Sequence, residues 1–274
     1  MSKRSRSVRA DSCPLPPYFG LLAVDAKDST RLPSVQHAPL SRTITEIIYR
    51  GLEFAGLGEM RREFECNTGD GLAFGFDPSW LPLVISPFAD VLDTLLQRHN
   101  TGADPHIRLR MSIHVGPVPV ASGTAGDGNA APRSEAHRLL DCEATRRWLA
   151  DAGEDGTPLV VIVSDAVHRA AVLGGYCAVP PSRFTEVRAE VAGKGFTQTA
   201  WMYVPSPSGG LLSHPTAQAA SVLGATKETD GASPAAPRPI QSRIQHVTSG
   251  VAIMDSTLRD VHHHEASRRA PDRS

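Results

Sequence analysis

Apolar positions along the chain fall into two alternating rhythms. Tyr18 to Asp25 is a near-continuous apolar run, the pattern of a strand buried on both faces. Leu40, Ile44, Ile47, Ile48 and Leu52 then recur at helical spacing and predict a helix over 39–56, ended near Gly56. From Arg61 to Phe76, short apolar and partly alternating runs lie on either side of Gly69-Asp70-Gly71. That is the pattern of a β-hairpin with an acidic tip, because Asp-Gly supplies the positive φ angles of a tight turn. Pro78 and Pro82 punctuate the next connection, and Phe88, Val91, Leu92, Leu95 and Leu96 predict a second amphipathic helix ending before Asn100. Ile107 to Val115 alternates as a strand does, and residues 117–133, rich in Gly, Ala and Pro, read as a loop. One helix is predicted from Ser134 through Leu139 and Leu140 to Trp148 and Leu149. Leu159 to Val163 reads as a buried strand, Asp165 to Leu173 as a short helix, and Phe184–Val191 and Thr197–Val204 as two closing strands. Interleaved strands and helices over residues 17–205 predict an α+β or α/β sandwich.

The two ends differ in character from this middle. Residues 1–16 are Ser/Arg-rich and then Pro-rich, and read as a disordered leader. Residues 206–243 are rich in Ser, Ala, Thr, Pro and Gly and read as a disordered linker. The last segment, 244–274, reads as a mostly disordered tail. Within it residues 247–264 resemble the short C-terminal motifs by which some bacterial conflict proteins assemble, with the uncharged Thr248 to Met254 of fair β-propensity as the core, and that resemblance implies a tail that could recruit an effector protein.

Composition narrows the function classes. With 274 residues and 41% hydrophobic content the chain has enough apolar mass for a core. Its net charge of −1 provides no electrostatic footprint for nucleic acid or an anionic membrane. The four cysteines, Cys13, Cys66, Cys142 and Cys177, show no Cys-x-x-Cys spacing, which argues against a zinc ribbon or disulfide scaffold and fits a reducing cytoplasm. No apolar stretch follows the basic start, and none reads as long and apolar enough to span a bilayer. The expectation is a soluble cytoplasmic protein.

The candidate chemistry sits in two acidic turns. One is Val24-Asp25-Ala26-Lys27-Asp28-Ser29-Thr30, directly after the first strand, and the other is the Gly69-Asp70-Gly71 tip. Either aspartate alone reads as an ordinary turn residue. If the two strands are neighbours, however, both carboxylates meet at one edge of a sheet, an arrangement that suits hard divalent cations carrying substrate phosphates. By contrast, His114 reads as a structural histidine, and Arg146 and Arg147 as solvated helix residues with no function to explain them.

Taken in order, five motifs resemble the class III nucleotidyl cyclases, the adenylate and guanylate cyclase catalytic family, over residues 18–204. Asp25 to Thr30 is similar to the family's Asp-Ile-x-Gly-Phe-Thr turn, and Thr68-Gly69-Asp70 to its Ile-Gly-Asp. Arg110-Met-Ser-Ile-His114-Val-Gly116 is similar to its Arg-Ile-Gly-Ile-His-x-Gly strand. Ser134-Glu-Ala136-His-Arg138-Leu139 resembles its Asn-x-Ala-x-Arg-Met helix start, and Gly193-Lys194-Gly195 its closing Lys-Gly-Lys-Gly hairpin. Gly-Asp-Gly and the run Ala136 to Asp141 give it the look of an actinobacterial branch. The resemblance implies an α+β, ferredoxin-like sandwich with a mostly antiparallel sheet. It also implies cyclisation of a nucleoside triphosphate to a 3′,5′-cyclic nucleotide and pyrophosphate. Two Mg²⁺ or Mn²⁺ ions would be held by Asp25 and Asp70, with Arg138 and Lys194 on phosphates and Ser134 on ribose. Ser29 and Thr30 would donate to phosphate, while Cys66 and Asp127 fall at the base-reading positions. Carboxylates and the Arg/Lys pair would come from opposite chains of a head-to-tail homodimer.

Departures from the family pattern leave an alternative open. Asp28-Ser29-Thr30 stands where the family has Gly-Phe-Thr, and Asp28 would repel a triphosphate unless its side chain turns away. Ser134 replaces a longer asparagine, and Cys66 matches neither adenine nor guanine selection, so the base stays open. The alternative is a cyclase-fold module without turnover that binds nucleotide or dimerises to regulate a partner.

Overall fold

The computed structural model describes residues 12–104, 106–120 and 128–213. The leader up to residue 11, Asp127, and the tail with its Thr248–Met254 segment lie outside the described residues.

Seven strands form one sheet: β1 (Tyr18–Ala26), β2 (Glu63–Asn67), β3 (Gly71–Phe76), β4 (Leu109–Pro117), β5 (Leu159–Ser164), β6 (Thr185–Val191) and β7 (Phe196–Tyr203). Their order is β2-β3-β1-β4-β5-β7-β6. All neighbours are antiparallel except β4 and β5. The first four strands have the ferredoxin-like order, which confirms the expected α+β sandwich with a mostly antiparallel sheet.

Period-2 alternation assigns each strand residue to a face. On one face Leu22, Val24, Phe74, Met111 and Val161 pack under α1 (Ser34–Phe54) and α2 (Ala89–Asn100). On the other face Val160, Ile162, Ala200 and Met202 pack under Leu139 of α3 (Ala131–Asp141) and Trp148 and Leu149 of α4 (Glu143–Asp151). Nearer the middle of the sheet, Leu140 of α3 sits on Ala23 and Ala73. Helices therefore cover both faces.

Several boundaries differ from the sequence reading, each for a physical reason. Helix α1 begins at Ser34 rather than 39 because its first turns bury nothing, so apolar spacing cannot register them. The single helix expected from Ser134 to Leu149 is broken at Cys142, whose ψ of 155° is extended. Thr145 stabilises the break by donating from Oγ1 to the Leu139 carbonyl at 3.0 Å. Helical turns also run from Pro78 through Asn100, kinked at Ser86, where two prolines suggested only a connection. The most apolar 18-residue window of this 23-residue run has a mean hydropathy of 1.3, so by length and composition it is long and apolar enough to cross a membrane, where no such stretch was expected. Leu81, Val84, Ile85, Phe88, Leu92 and Leu96 within it are core residues of the domain.

Beyond Pro205, where a linker was expected, the chain stays on the domain through residue 213. Ser206 Oγ donates to Asp93 Oδ2 at 2.7 Å, Thr157 Oγ1 donates to the Ser206 carbonyl at 2.7 Å, and Leu211 is buried. This attachment leans on a buried acid. Asp93 is 2% exposed, its Oδ1 has no hydrogen-bond partner, and burial pushes its carboxyl up to about 6. The folded state therefore holds this proton more tightly than the unfolded chain, so Asp93 costs stability as pH rises through 4 to 6. Asp93→Asn should raise the melting temperature at pH 7.5 and lose that advantage toward pH 4.5, as read by thermal melts across the range.

Candidate active site

The site grows from the register of the central strand. Asp25, near the end of β1, lies opposite Gly71 of β3 on one side and Arg110 of β4 on the other. The β2–β3 turn is pressed onto β1, with Ala26 N–H donating to the Asp70 carbonyl at 2.9 Å. Gly71 permits this approach, since a Cβ there would come within 1.8 Å of the Val24 carbonyl oxygen. Asp28 then takes a left-handed conformation, φ 60°, and turns the chain into a single 3₁₀ turn at Ser29–Arg31. That turn brings Ser29 Oγ to Asp70 Oδ2, to which it donates at 2.5 Å. The Asp28 carboxylate is paired with Lys27 at 3.7 Å and Arg31 at 3.3 Å.

Asp25 and Asp70 thus line one open cavity of about 560 Å³ together with Ser29. Asp25 accepts a two-pronged hydrogen bond from Arg110, Nε to Oδ1 at 2.8 Å and Nη2 to Oδ2 at 2.6 Å. Burial nevertheless pushes the Asp25 carboxyl up to about 6, outweighing Arg110, with further repulsion from Asp70 and Asp141. Asp141, at the end of α3, lines the same cavity, and Arg146 of α4 donates to it at 3.0 Å. The cavity wall is therefore charge-balanced: Asp25, Asp28, Asp70 and Asp141 face Lys27, Arg31, Arg110 and Arg146.

No cluster of three or more His, Cys, Asp or Glu side chains suited to a metal occurs among the described residues. The two-carboxylate set still fits Mg²⁺ or Mn²⁺, because a hard cation commonly takes one or two carboxylates and completes its shell with water and phosphate. Burial is what holds the Asp25 carboxyl high, with a smaller contribution from Asp70 and Asp141, and a cation seated between the two aspartates would favour their charged forms.

The remaining candidates lie elsewhere in the chain. Arg138 stacks its guanidinium over Phe196 at 5.7 Å, and Lys194 is exposed at the tip of the β6–β7 hairpin. Ser134 is exposed in the first turns of α3, and Cys66 is an exposed free thiol on the edge strand β2. None of these four lines the Asp25–Asp70 cavity. The side chain of Thr30 and all of Asp127 lie outside the described residues. Conversely, Arg110, Asp141 and Arg146 belong to the cavity and were missed as site residues. Arg110, on the polar face of β4 with Ser112 and His114 and inside a quoted motif, was a readable signal, whereas Arg146 carried none.

Removing Arg110 strands a buried carboxylate, the two side chains being 13% and 17% exposed. Arg110→Met should cost roughly 3 kcal/mol of folding stability at pH 7.5. Adding Asp25→Asn should recover much of it, a non-additivity measurable by a denaturant double-mutant cycle.

No protein-family model matches the chain, and no curated protein matches it. Similar solved structures include an adenylate/guanylate cyclase/hydrolase from Silicibacter pomeroyi, 19% identical with a TM-score of 0.48 over 69% of this chain and 97% of that one. A bacterial light-regulated adenylyl cyclase is 12% identical, with a TM-score of 0.48 over 69% of this chain and 91% of that one. The non-canonical dimeric guanylyl cyclase domain of the RhoGC fusion protein from the aquatic fungus Blastocladiella emersonii is 11% identical. Its TM-score is 0.42 over 69% of this chain and 97% of that one. These three solved structures, to which this chain is similar, are adenylate and guanylate cyclase proteins.

Proposed function

We propose that the domain is a metal-dependent nucleotidyl cyclase of the cytoplasm, converting a nucleoside triphosphate to a 3′,5′-cyclic nucleotide and pyrophosphate. The observation that carries the reading is the meeting of Asp25 and Asp70 in one cavity, with Asp25 held at raised pKa by burial and by its acidic neighbours. Bound there, two divalent ions would lower the pKa of the ribose 3′-hydroxyl and offset charge on the triphosphate. The chain's own contribution is positioning. Asp25 and Asp70 set the separation of the carboxylates, and Ser29 fixes the Asp70 rotamer through its 2.5 Å hydrogen bond. Arg110, partly released from Asp25, presents a planar fork to a phosphate.

Charge balance explains why the cations matter in this reading. Four carboxylates and four basic side chains leave no surplus positive charge for a polyanion. The site becomes receptive to a triphosphate only when added cations tip that balance. Arg138, Lys194 and Ser134 would reach the substrate from the partner of a head-to-tail homodimer, which accords with their lying outside the cavity of their own chain. Cys66 and Asp127 would stand near the base.

A second reading is favoured by one observation, the two-pronged closure of Asp25 by Arg110. A chain in which that pair never opens binds nucleotide or dimerises without turnover. Incubation with Mn²⁺ and each of the four ribonucleoside triphosphates, with products weighed by mass spectrometry, separates the two. The expected outcome is pyrophosphate and one cyclic nucleotide from the natural chain, and none from Asp25→Asn. Silence from both, with nucleotide still bound, selects the second reading.

A further inference from the structure

The helix break at Cys142 has a consequence for the cavity. By ending α3 at Asp141 and restarting at Glu143, it turns both Asp141 and Arg146 onto the wall that Asp25 and Asp70 occupy. The same two residues also line a second open cavity, of about 590 Å³, beside the β6–β7 hairpin that carries Lys194. Asp141 and Arg146 are therefore the partition between the carboxylate cavity and the hairpin cavity.

Arg146 is held loosely at that partition. Its side chain is 61% exposed, and it donates to an Asp141 carboxylate that is itself 38% exposed. Such a pair exchanges readily for a stronger anion. Arg147, its neighbour, offers a contrast. It is exposed to a similar degree and pairs along the helix with Glu143, and it lines neither cavity. Two adjacent arginines thus differ in position and hardly at all in charge or exposure.

We propose that Arg146 is a polyphosphate-binding residue of this site, acting in the same chain as Asp25 and Asp70, with Asp141 as the positioning residue that holds it when no ligand is bound. The inference rests on the phosphate-binding reading of the cavity and adds a residue to it. A polyphosphate seated between the carboxylates and α4 takes the Arg146 guanidinium from Asp141, exchanging an exposed ion pair for a charge-assisted pair with two or three phosphate oxygens. The ligand class is a linear di- or triphosphate, the anion the phosphate-binding reading of the cavity calls for, with Arg146 lining the same cavity as Asp25 and Asp70.

The test uses the full chain with Mn²⁺ and inorganic tripolyphosphate, which isolates the polyphosphate from base and ribose, read by isothermal titration calorimetry. Arg146→Ala should weaken binding about tenfold, the loss of one charge-assisted contact. Arg147→Ala, with the same change in net charge, should leave it unchanged. Asp141→Asn should tighten it by about threefold, since the competing anion is gone. Both arginine variants alter exposed side chains, and matched melting temperatures confirm intact folds. Equal affinity for wild type and Arg146→Ala, or equal losses for both arginine variants, overturns the proposal. Arg146-dependent binding without a cyclic product from any nucleotide sustains this inference while the cyclase reading falls. Cyclic product from an Arg146→Ala chain with undiminished tripolyphosphate affinity does the reverse.

Discussion

Strand β1 is hydrogen-bonded on both sides, antiparallel to β3 and to β4, and every feature of the site depends on that double register. Its pattern permits one solution. Leu22, Val24 and Ala26 belong to the core under α1 and α2, so Leu21, Ala23 and Asp25 must face the other way. A slip of one residue would send Asp25 into the apolar core and Val24 into the cavity. Gly71 then decides how closely the acidic turn approaches, because any side chain there collides with the β1 backbone. Strand alternation and one missing Cβ together place Asp70 beside Asp25.

Bringing carboxylates together in this way has an electrostatic cost, and the chain meets it with arginines. Arg110 answers Asp25 across the β1–β4 register, and Arg146 answers Asp141 across the helix break. Lys27 and Arg31 answer Asp28, so the acid that stands where the family resemblance has a glycine points its charge at its own neighbours. Asp70 is met by the Ser29 hydroxyl rather than by a cation, and at Asp25 burial outweighs the guanidinium. This wall leaves Asp25 and Asp70 lining one cavity, where a divalent cation would offset their charge.

Much of this was legible in the residues and some was not, for physical reasons. The seven strands follow from local patterns of alternation, apolar runs and a Gly-Asp-Gly turn, whereas the juxtaposition of Asp25 with Asp70 was legible only on condition that their strands are neighbours, which the β1–β3 pairing supplies. The first turns of α1 escaped because they bury nothing, and residues 206–213 escaped because their attachment depends on Ser206 and Thr157 hydrogen bonds and a single buried leucine. Arg110 was legible as part of a motif, though its partner was set by cross-strand register. Nothing at Arg146 distinguished it from Arg147, because the distinction is made by a helix break that apolar periodicity runs straight across.

That break also bears on how one chain relates to a second. In the head-to-tail pair proposed above, the Arg138 and Lys194 side chains would approach the carboxylates of the other subunit, which accords with neither lining its own Asp25–Asp70 cavity. The resemblance alone therefore assigns the carboxylates to one subunit and the phosphate-binding cations to the other. Arg110 and Arg146 alter that division, since both stand on the carboxylate side of their own chain. A polyphosphate in the cavity would meet basic side chains before any partner arrives. Under the proposed arrangement the single subunit would capture the polyanion, and the partner's role would narrow to charge developing at the reacting phosphorus and to the ribose.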